Sequence, residues 1–479
     1  MLVAVCLAAL LIRIGIAVRT EVINTDGPLY LVQAKAILDG DFRAALKGSS
    51  SAPGTAAGIA LLARCGLPLE AAGWGLSALA AALVVFPLHA IARRGFGPSV
   101  ALATVLIYVV APVPARLGAQ IYSTSLFLLL VVTAVAFALS VLHRAAVSSA
   151  LLCGTAIALS YATRVDGLVV LPLAFLACLR APATTRRRLL LAGAVALPTL
   201  LAVAGYSLFV ASEHGVWITK KFTPEEWSHY LTLALPSRYA LSGIWEDLTE
   251  TLFVPFVPLA LAAVFVRPAP EGRKTRVAVL LLCLVWAACL VRLCQSTGAM
   301  SKRYTTPMVV LLLPWVACGL LAVARALARL VRRAEPCPRW ITATFVVLAC
   351  AACVPKLLRL HEGDAILEKL TGEYLRRLDD RGEAILCGST RVPYYAGTSS
   401  VPVRWARLEP RQVYRALRVT NVKYVVRDRG LIDFAPEFAN GLGPPDATLV
   451  AEITSPACKS RVSIFRIEAP AAERRNARK

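Results

Sequence analysis

Arg19-Thr20-Glu21-Val22-Ile23-Asn24-Thr25-Asp26-Gly27-Pro28-Leu29-Tyr30 is the first polar stretch of the chain, and it follows an apolar run over residues 2–18. The next long apolar run begins near residue 71, so whether the residues between them cross the membrane sets the sidedness of every later loop. Residues 53–66 are apolar but only about fourteen long, which suits an interfacial or re-entrant helix better than a membrane crossing. Counting them as a crossing would also place Arg93, Arg94 and the Arg186 to Arg188 cluster on the outside. Residues 19–70 therefore read as one long external loop.

Working outward, a crossing helix needs about 20 mostly apolar residues. Eleven segments are read as crossings: 2–18, 71–92, 98–114, 122–142, 147–162, 165–180, 189–211, 251–267, 276–295, 304–324 and 340–356. With the N-terminus inside, the cytoplasmic loops and their borders collect sixteen bases, from Arg93 to Arg339, against two acids, Glu271 and Glu335. That asymmetry is what the positive-inside rule expects. The first crossing lacks a basic leading region and a small-residue cleavage site, so it reads as a retained anchor and not a signal peptide.

Composition agrees. The 479 residues are 57% hydrophobic and 17% charged, with mean hydropathy +0.65, whereas a soluble domain carries about 25% charged residues. A soluble enzyme is thereby excluded. The net charge of +23, from 52 Lys and Arg against 29 Asp and Glu, follows from cytoplasmic loops and calls for no nucleic-acid partner. Acids and bases mix evenly only after residue 356. The expected organisation is a membrane domain over 1–356, an external soluble α/β domain over 357–469, and a disordered tail over 470–479. In the soluble domain, 384–389, 423–427, 447–453 and 461–467 read as strands and 410–419 as a helix.

Thirteen cysteines, most inside apolar spans, read as small packing residues, and Cys350 and Cys353 share one helix face. The five histidines form no ligand spacing, and no phosphate-cradling glycine loop or nucleophile elbow is present.

Ionisable residues at a membrane boundary are functional candidates by default. Asp26 precedes an amphipathic stretch, Leu29 to Leu38, with Pro28 suited to the first helical turn, so Asp26 reads either as a cap near the positive end of that helix or as a reactive carboxylate. Arg164, Lys220, Lys221, Lys302 and Arg303 fall on the same external side. Singly they suit interfacial anchoring; together, opposite a carboxylate, they suit an anionic, phosphate-bearing substrate.

The run Asp26-Gly27-Pro28-Leu29-Tyr30, continuing to Asp39-Gly40-Asp41-Phe42, resembles the first external loop of GT-C fold membrane glycosyltransferases. The resemblance is to bacterial members of glycosyltransferase family 39, relatives of the protein O-mannosyltransferases and lipid A aminoarabinose transferases. Further similarities follow in family order. These are Pro53 opening the loop helix, Thr163-Arg164-Val165-Asp166-Gly167, Gly215-Val216-Trp217-Ile218-Thr219-Lys220, and Lys302-Arg303-Tyr304 with Pro307. The tail adds Tyr394-Tyr395-Ala396-Gly397 and Val422 to Val426.

The resemblance implies an inverting transfer of a sugar from a polyprenyl-phosphate donor to an acceptor hydroxyl of a lipid, glycan or protein, at the external face of the plasma membrane. Asp26 would be the general base. Arg164, Lys220, Arg303 and Tyr304 would hold the departing phosphate, with Tyr30, Asp166, Thr124 and Lys302 in support. No cofactor is required by the sequence, and a divalent metal stays an unsupported alternative with no ligands assigned. The chain departs from relatives at Gly27, where many carry a second acid, and at Tyr122-Ser123-Thr124-Ser125, where Thr124 stands in the place of an acidic residue. The alternatives are a transporter or flippase of a lipid-linked anion, a non-catalytic scaffold and an inactive family member.

Overall fold

The computed structural model describes residues 1–47, 52–214, 238–266, 270–297, 300–332, 339–359, 363–378, 384–398, 422–434, 447–455 and 460–467. Lys220, the expected helix at 410–419 and the tail at 470–479 lie outside them. The chain divides into two compact units, Met1–Ala17 with Tyr30–Arg359, and Val18–Leu29 with Leu360–Lys479.

The first unit is helical. It begins with α1 (Leu2–Arg19), α2 (Gly27–Leu38), α3 (Phe42–Lys47) and α4 (Gly54–Arg64), followed by α5 (Leu69–Leu83) and α6 (Val85–Phe96). Gly97, at φ 91°, lets the chain reverse into α7 (Pro98–Val110), and Pro98 and Pro112 open α7 and α8 (Pro112–Leu117), where a missing N–H costs nothing. Then come α9 (Ser123–Arg144), α10 (Val147–Thr163), a 3-10 turn over Val165–Val170, α11 (Leu171–Arg180), α12 (Thr185–His214), α13 (Arg238–Leu252) and α14 (Val257–Ala262). The long helices α15 (Pro270–Thr297), α16 (Lys302–Arg332) and α17 (Arg339–Leu358) complete the unit.

Seven helices among the described residues are long and apolar enough to cross a membrane, or eight if the pair 240–252 and 254–265, bent by 89°, counts as one. The other three expected crossings are helices of 17 residues or fewer, α7, α10 and α11. The count of eleven is therefore an upper reading. The apolar loop segment forms a helix of 11 residues, too short to span. In α16, 83% of the apolar stretch is enclosed by protein, against 17% in α12 and α17. α16 is thus the central span, whereas α12 and α17 turn most of their surface outward.

Small residues set the closest approaches, as expected where helices pack without a hydrophobic drive. A Cβ on Gly154 of α10 would collide with the Val195 carbonyl of α12, and one on Gly319 of α16 with the Leu259 carbonyl of α14.

In the second unit, α18 (Gly363–Leu378) is followed by β1 (Ala384–Leu386), α19 (Arg391–Ala396), β2 (Val422–Arg427), α20 (Arg429–Phe434), β3 (Ala447–Thr454) and β4 (Arg461–Ile467). The sheet runs β1-β2-β4-β3. β1 pairs parallel to β2, and the other pairs are antiparallel, with Tyr424 opposite Arg466 and Leu449 opposite Phe465. Leu367, Leu375, Ile385, Val392, Val426 and Ile464 form its core.

Asp428 ties β2 to the loop after β1. Its carboxylate accepts the backbone N–H groups of Gly388 at 3.2 Å, Ser389 at 2.9 Å and Leu431 at 2.7 Å. Burial outweighs these bonds, with Glu368 adding repulsion, and pushes its pKa from 3.8 to about 6. A raised carboxylate pKa means that the folded state binds the proton more tightly than the unfolded state. The stabilisation is complete below about pH 4 and is lost as pH rises through about 6, an effect of about 3 kcal/mol. Hydrogen exchange of the full chain at β1 and β2 should therefore slow in stability terms from pH 7 to pH 5, after correction for intrinsic rates, and Asp428→Asn should flatten that dependence.

Candidate functional site

In the first unit, the structure gathers Arg164, Asp166, Arg303 and Tyr304. Arg164 is the residue that ends α10, in extended conformation, before the 3-10 turn. Its Nη2 and Nε donate to the same Asp166 oxygen at 2.6 and 3.2 Å. Burial works against its charge, but the Asp166 carboxylate, together with the Tyr304 and Tyr30 hydroxyls, more than offsets burial and holds the guanidinium pKa above its ordinary value. The guanidinium carbon lies 4.8 Å from the centroid of the Tyr304 ring and 5.1 Å from that of Phe127. Arg303 approaches the same Tyr304 ring at 5.1 Å and its Nη2 donates to the Tyr304 hydroxyl at 3.4 Å. One phenol thus carries two guanidinium groups, a cation–π arrangement that keeps like charges close.

The backbone that carries that ring is fixed by one neighbour and by its own helix. The Trp286 indole N–H donates to the Tyr304 carbonyl at 3.1 Å, and Tyr304 sits in the first turn of α16. Tyr30, buried, donates its hydroxyl to Ser123 Oγ at 3.0 Å. The adjacent Thr124 is 1% exposed, and its hydroxyl has no hydrogen-bond partner among the described residues. Lys302 turns instead to Glu250 of α13, at 2.7 Å, an oxygen that Lys356 also approaches at 3.8 Å. Arg164 and Lys302 each already meet a carboxylate, Asp166 and Glu250, so an anion here would share Arg164 with Asp166 beside the Arg303 guanidinium. Among the described residues no group of three or more His, Cys, Asp or Glu is placed to hold a metal ion.

Asp26 belongs to the second unit and stands, half-buried, immediately before α2. The backbone leading to it is held by the C-terminal part of that unit. Arg391 Nε donates to the Ile23 carbonyl at 2.6 Å, and the Ile23 N–H donates to the Tyr395 hydroxyl at 3.0 Å. Thr390 donates to the Thr25 carbonyl, and Lys369 Nζ to the Glu21 carbonyl at 3.0 Å. Arg391 is itself fixed by Glu368 at 2.8 Å.

Phe127, Trp286, Glu250 and Arg391 were not found from sequence. Trp286 carried one signal, an indole N–H inside an apolar span that needs an acceptor. Arg13, in the first crossing, was also passed over. It is fully buried, donates to the Ala9 carbonyl at 2.9 Å and lies 5.1 Å from the Tyr108 ring centroid.

No family model matches the chain, and no curated protein matches it by sequence. Among solved structures, ArnT from Cupriavidus metallidurans in the apo state is similar at 15% identity and TM-score 0.63, with 97% of each chain covered. ArnT from the same organism bound to undecaprenyl phosphate gives 16% and 0.64, again over 97% of each chain. The apo oligosaccharyltransferase from Archaeoglobus fulgidus gives 12% and 0.55, over 89% of this chain and 69% of that one. The match to ArnT runs through both the helical unit and the C-terminal sheet, and the chain has the GT-C fold of a multi-pass membrane protein.

Proposed function

We propose that the protein is an inverting glycosyltransferase that moves a sugar from a polyprenyl-phosphate donor to an acceptor hydroxyl at the external face of the membrane, with its N-terminus cytoplasmic. The observation that carries this reading is the pair of guanidinium groups, Arg164 and Arg303, on the single ring of Tyr304. Such a stack suits a lipid phosphate leaving with its charge in a partly dry site. A structure of the same fold binds undecaprenyl phosphate.

Asp26 would remove the acceptor hydroxyl's proton as the oxygen attacks the anomeric carbon from the face opposite the departing phosphate. The hydrogen bonds from Arg391, Tyr395, Thr390 and Lys369 would set where Asp26 stands. Arg391→Ala removes a charge-assisted bond worth about 1.5–3 kcal/mol. It should lower kcat about tenfold or more with little change in KM for the donor, as steady-state kinetics of the variant would register; Arg391→Lys should recover only part, because it keeps charge without the fork.

The proposal is tested by mass spectrometry of envelope lipids and glycans in a strain lacking the gene. Loss of one sugar modification, with its lipid-linked donor accumulating, is the expected result and names both sugar and acceptor. An unchanged envelope, or a donor stranded on the cytoplasmic side, would favour the flippase alternative or an inactive protein.

A further inference from the structure

We propose that the first unit carries a second phosphate-binding site, at the end of the helical bundle opposite Arg164. His89, Ala90, Arg93 and Arg94 of α6 and His143 and Arg144 of α9 line an open cavity of about 590 Å³. Ser123 and Thr124 begin α9 beside Tyr30, and His143 and Arg144 end it. Arg164 meets α9 at Phe127, so at 1.5 Å per residue the cavity lies about 25 Å along the helix from that candidate donor-phosphate residue.

Bases at this end have an ordinary explanation, since cytoplasmic loops gather Arg and Lys and helix C-termini favour them. That explanation accounts for their presence but not for their arrangement. Three arginines and two histidines from two helices converge on one concavity, and no carboxylate lines it among the described residues. Two of the side chains are fixed from behind. Arg94 Nη1 donates to the Ala136 carbonyl at 2.8 Å, and His143 Nε2 lies 3.0 Å from the Thr275 hydroxyl. Those contacts hold the groups at the cavity wall, where a free surface arginine would spread into solvent.

The volume falls in the range of small-molecule sites, about 300–1,000 Å³. Arginine forks match the oxygens of a phosphate in pairs. The ligand class is thus a phosphate-bearing anion, either the headgroup of an anionic lipid or a soluble phosphate compound. Basic pockets between spans on the cytoplasmic side are suited to the former.

The test uses the full chain with two probes. Phosphatidylglycerol retention is measured by native mass spectrometry against phosphatidylcholine, and pyrophosphate binding by calorimetry. Two double variants, Arg94→Gln with Arg144→Gln and His89→Gln with Arg93→Gln, are compared with Arg273→Gln, an exposed base outside the cavity. The expected result is selective binding of at least one probe, weakened about tenfold or more by each double variant and unchanged by Arg273→Gln. Retention of the lipid alone assigns a headgroup, and binding of pyrophosphate alone assigns a soluble phosphate. Absence of both in the wild type, or equal loss in Arg273→Gln, would overturn the site and leave these bases as orientation signals. The second double variant keeps the test open if loss of the Arg94 bond prevents folding.

Discussion

Asp26→Asn is expected to cut sugar transfer by about 10³-fold while leaving the protein folded and able to bind donor. Positioned general bases contribute roughly 10²–10⁴-fold, and a thousandfold loss corresponds to about 4 kcal/mol of barrier. The substitution separates the two readings of this residue. Asn serves as a helix cap about as well as Asp, so a residue that only opens α2 would tolerate it with little change in rate. A base would not, since the amide cannot take a proton at neutral pH. Steady-state transfer by the purified variant, with donor retention measured in parallel, makes the comparison. Rates near wild type would remove Asp26 from the chemistry and leave it as a cap.

Arg303→Ala is expected to lower kcat/KM by about 10²–10³-fold, the cost of removing one preorganised donor from a developing anion. The effect should fall more on kcat than on KM, because the phosphate gains charge as the glycosidic bond breaks. Arg303 is a cleaner probe than Arg164, whose removal would also leave the Asp166 carboxylate without its 2.6 Å partner and disturb the end of α10. Tyr304→Phe keeps the ring beneath both guanidinium groups and loses only the hydroxyl that accepts from Arg303, so a loss below about tenfold is expected. A series in which Arg303→Ala matches wild type would show that this stack does not hold the leaving group.

The candidate residues that sequence picks out are those whose chemistry is local. Asp26 stands out because acids are scarce in the membrane region, and Arg164 and Arg303 stand out because they lie on one side of the threading. Their convergence on Tyr304 could not be read, since 139 positions separate Arg164 from Arg303 and only the helix packing closes that gap. Lys302, a supporting candidate by its place beside Arg303, pairs with Glu250 at 2.7 Å. Nothing in the run around Glu250 distinguishes it from an ordinary solvated acid. The hold on the loop before Asp26 was equally hidden, because Arg391 and Ile23 are 368 residues apart. Hydropathy located the helices well. Three of the eleven expected crossings, α7, α10 and α11, form as helices of 17 residues or fewer, and apolarity alone does not separate a full span from a partial one.

The proposed reaction breaks the bond between a sugar and a polyprenyl phosphate. Purified protein in lipid vesicles, given a labelled polyprenyl-phosphate sugar and an envelope extract as acceptor, tests it most directly. Free polyprenyl phosphate should form in step with labelled acceptor, with the anomeric configuration inverted and both products lost in Asp26→Asn. Intact donor recovered on the opposite leaflet, with no free polyprenyl phosphate, would contradict it.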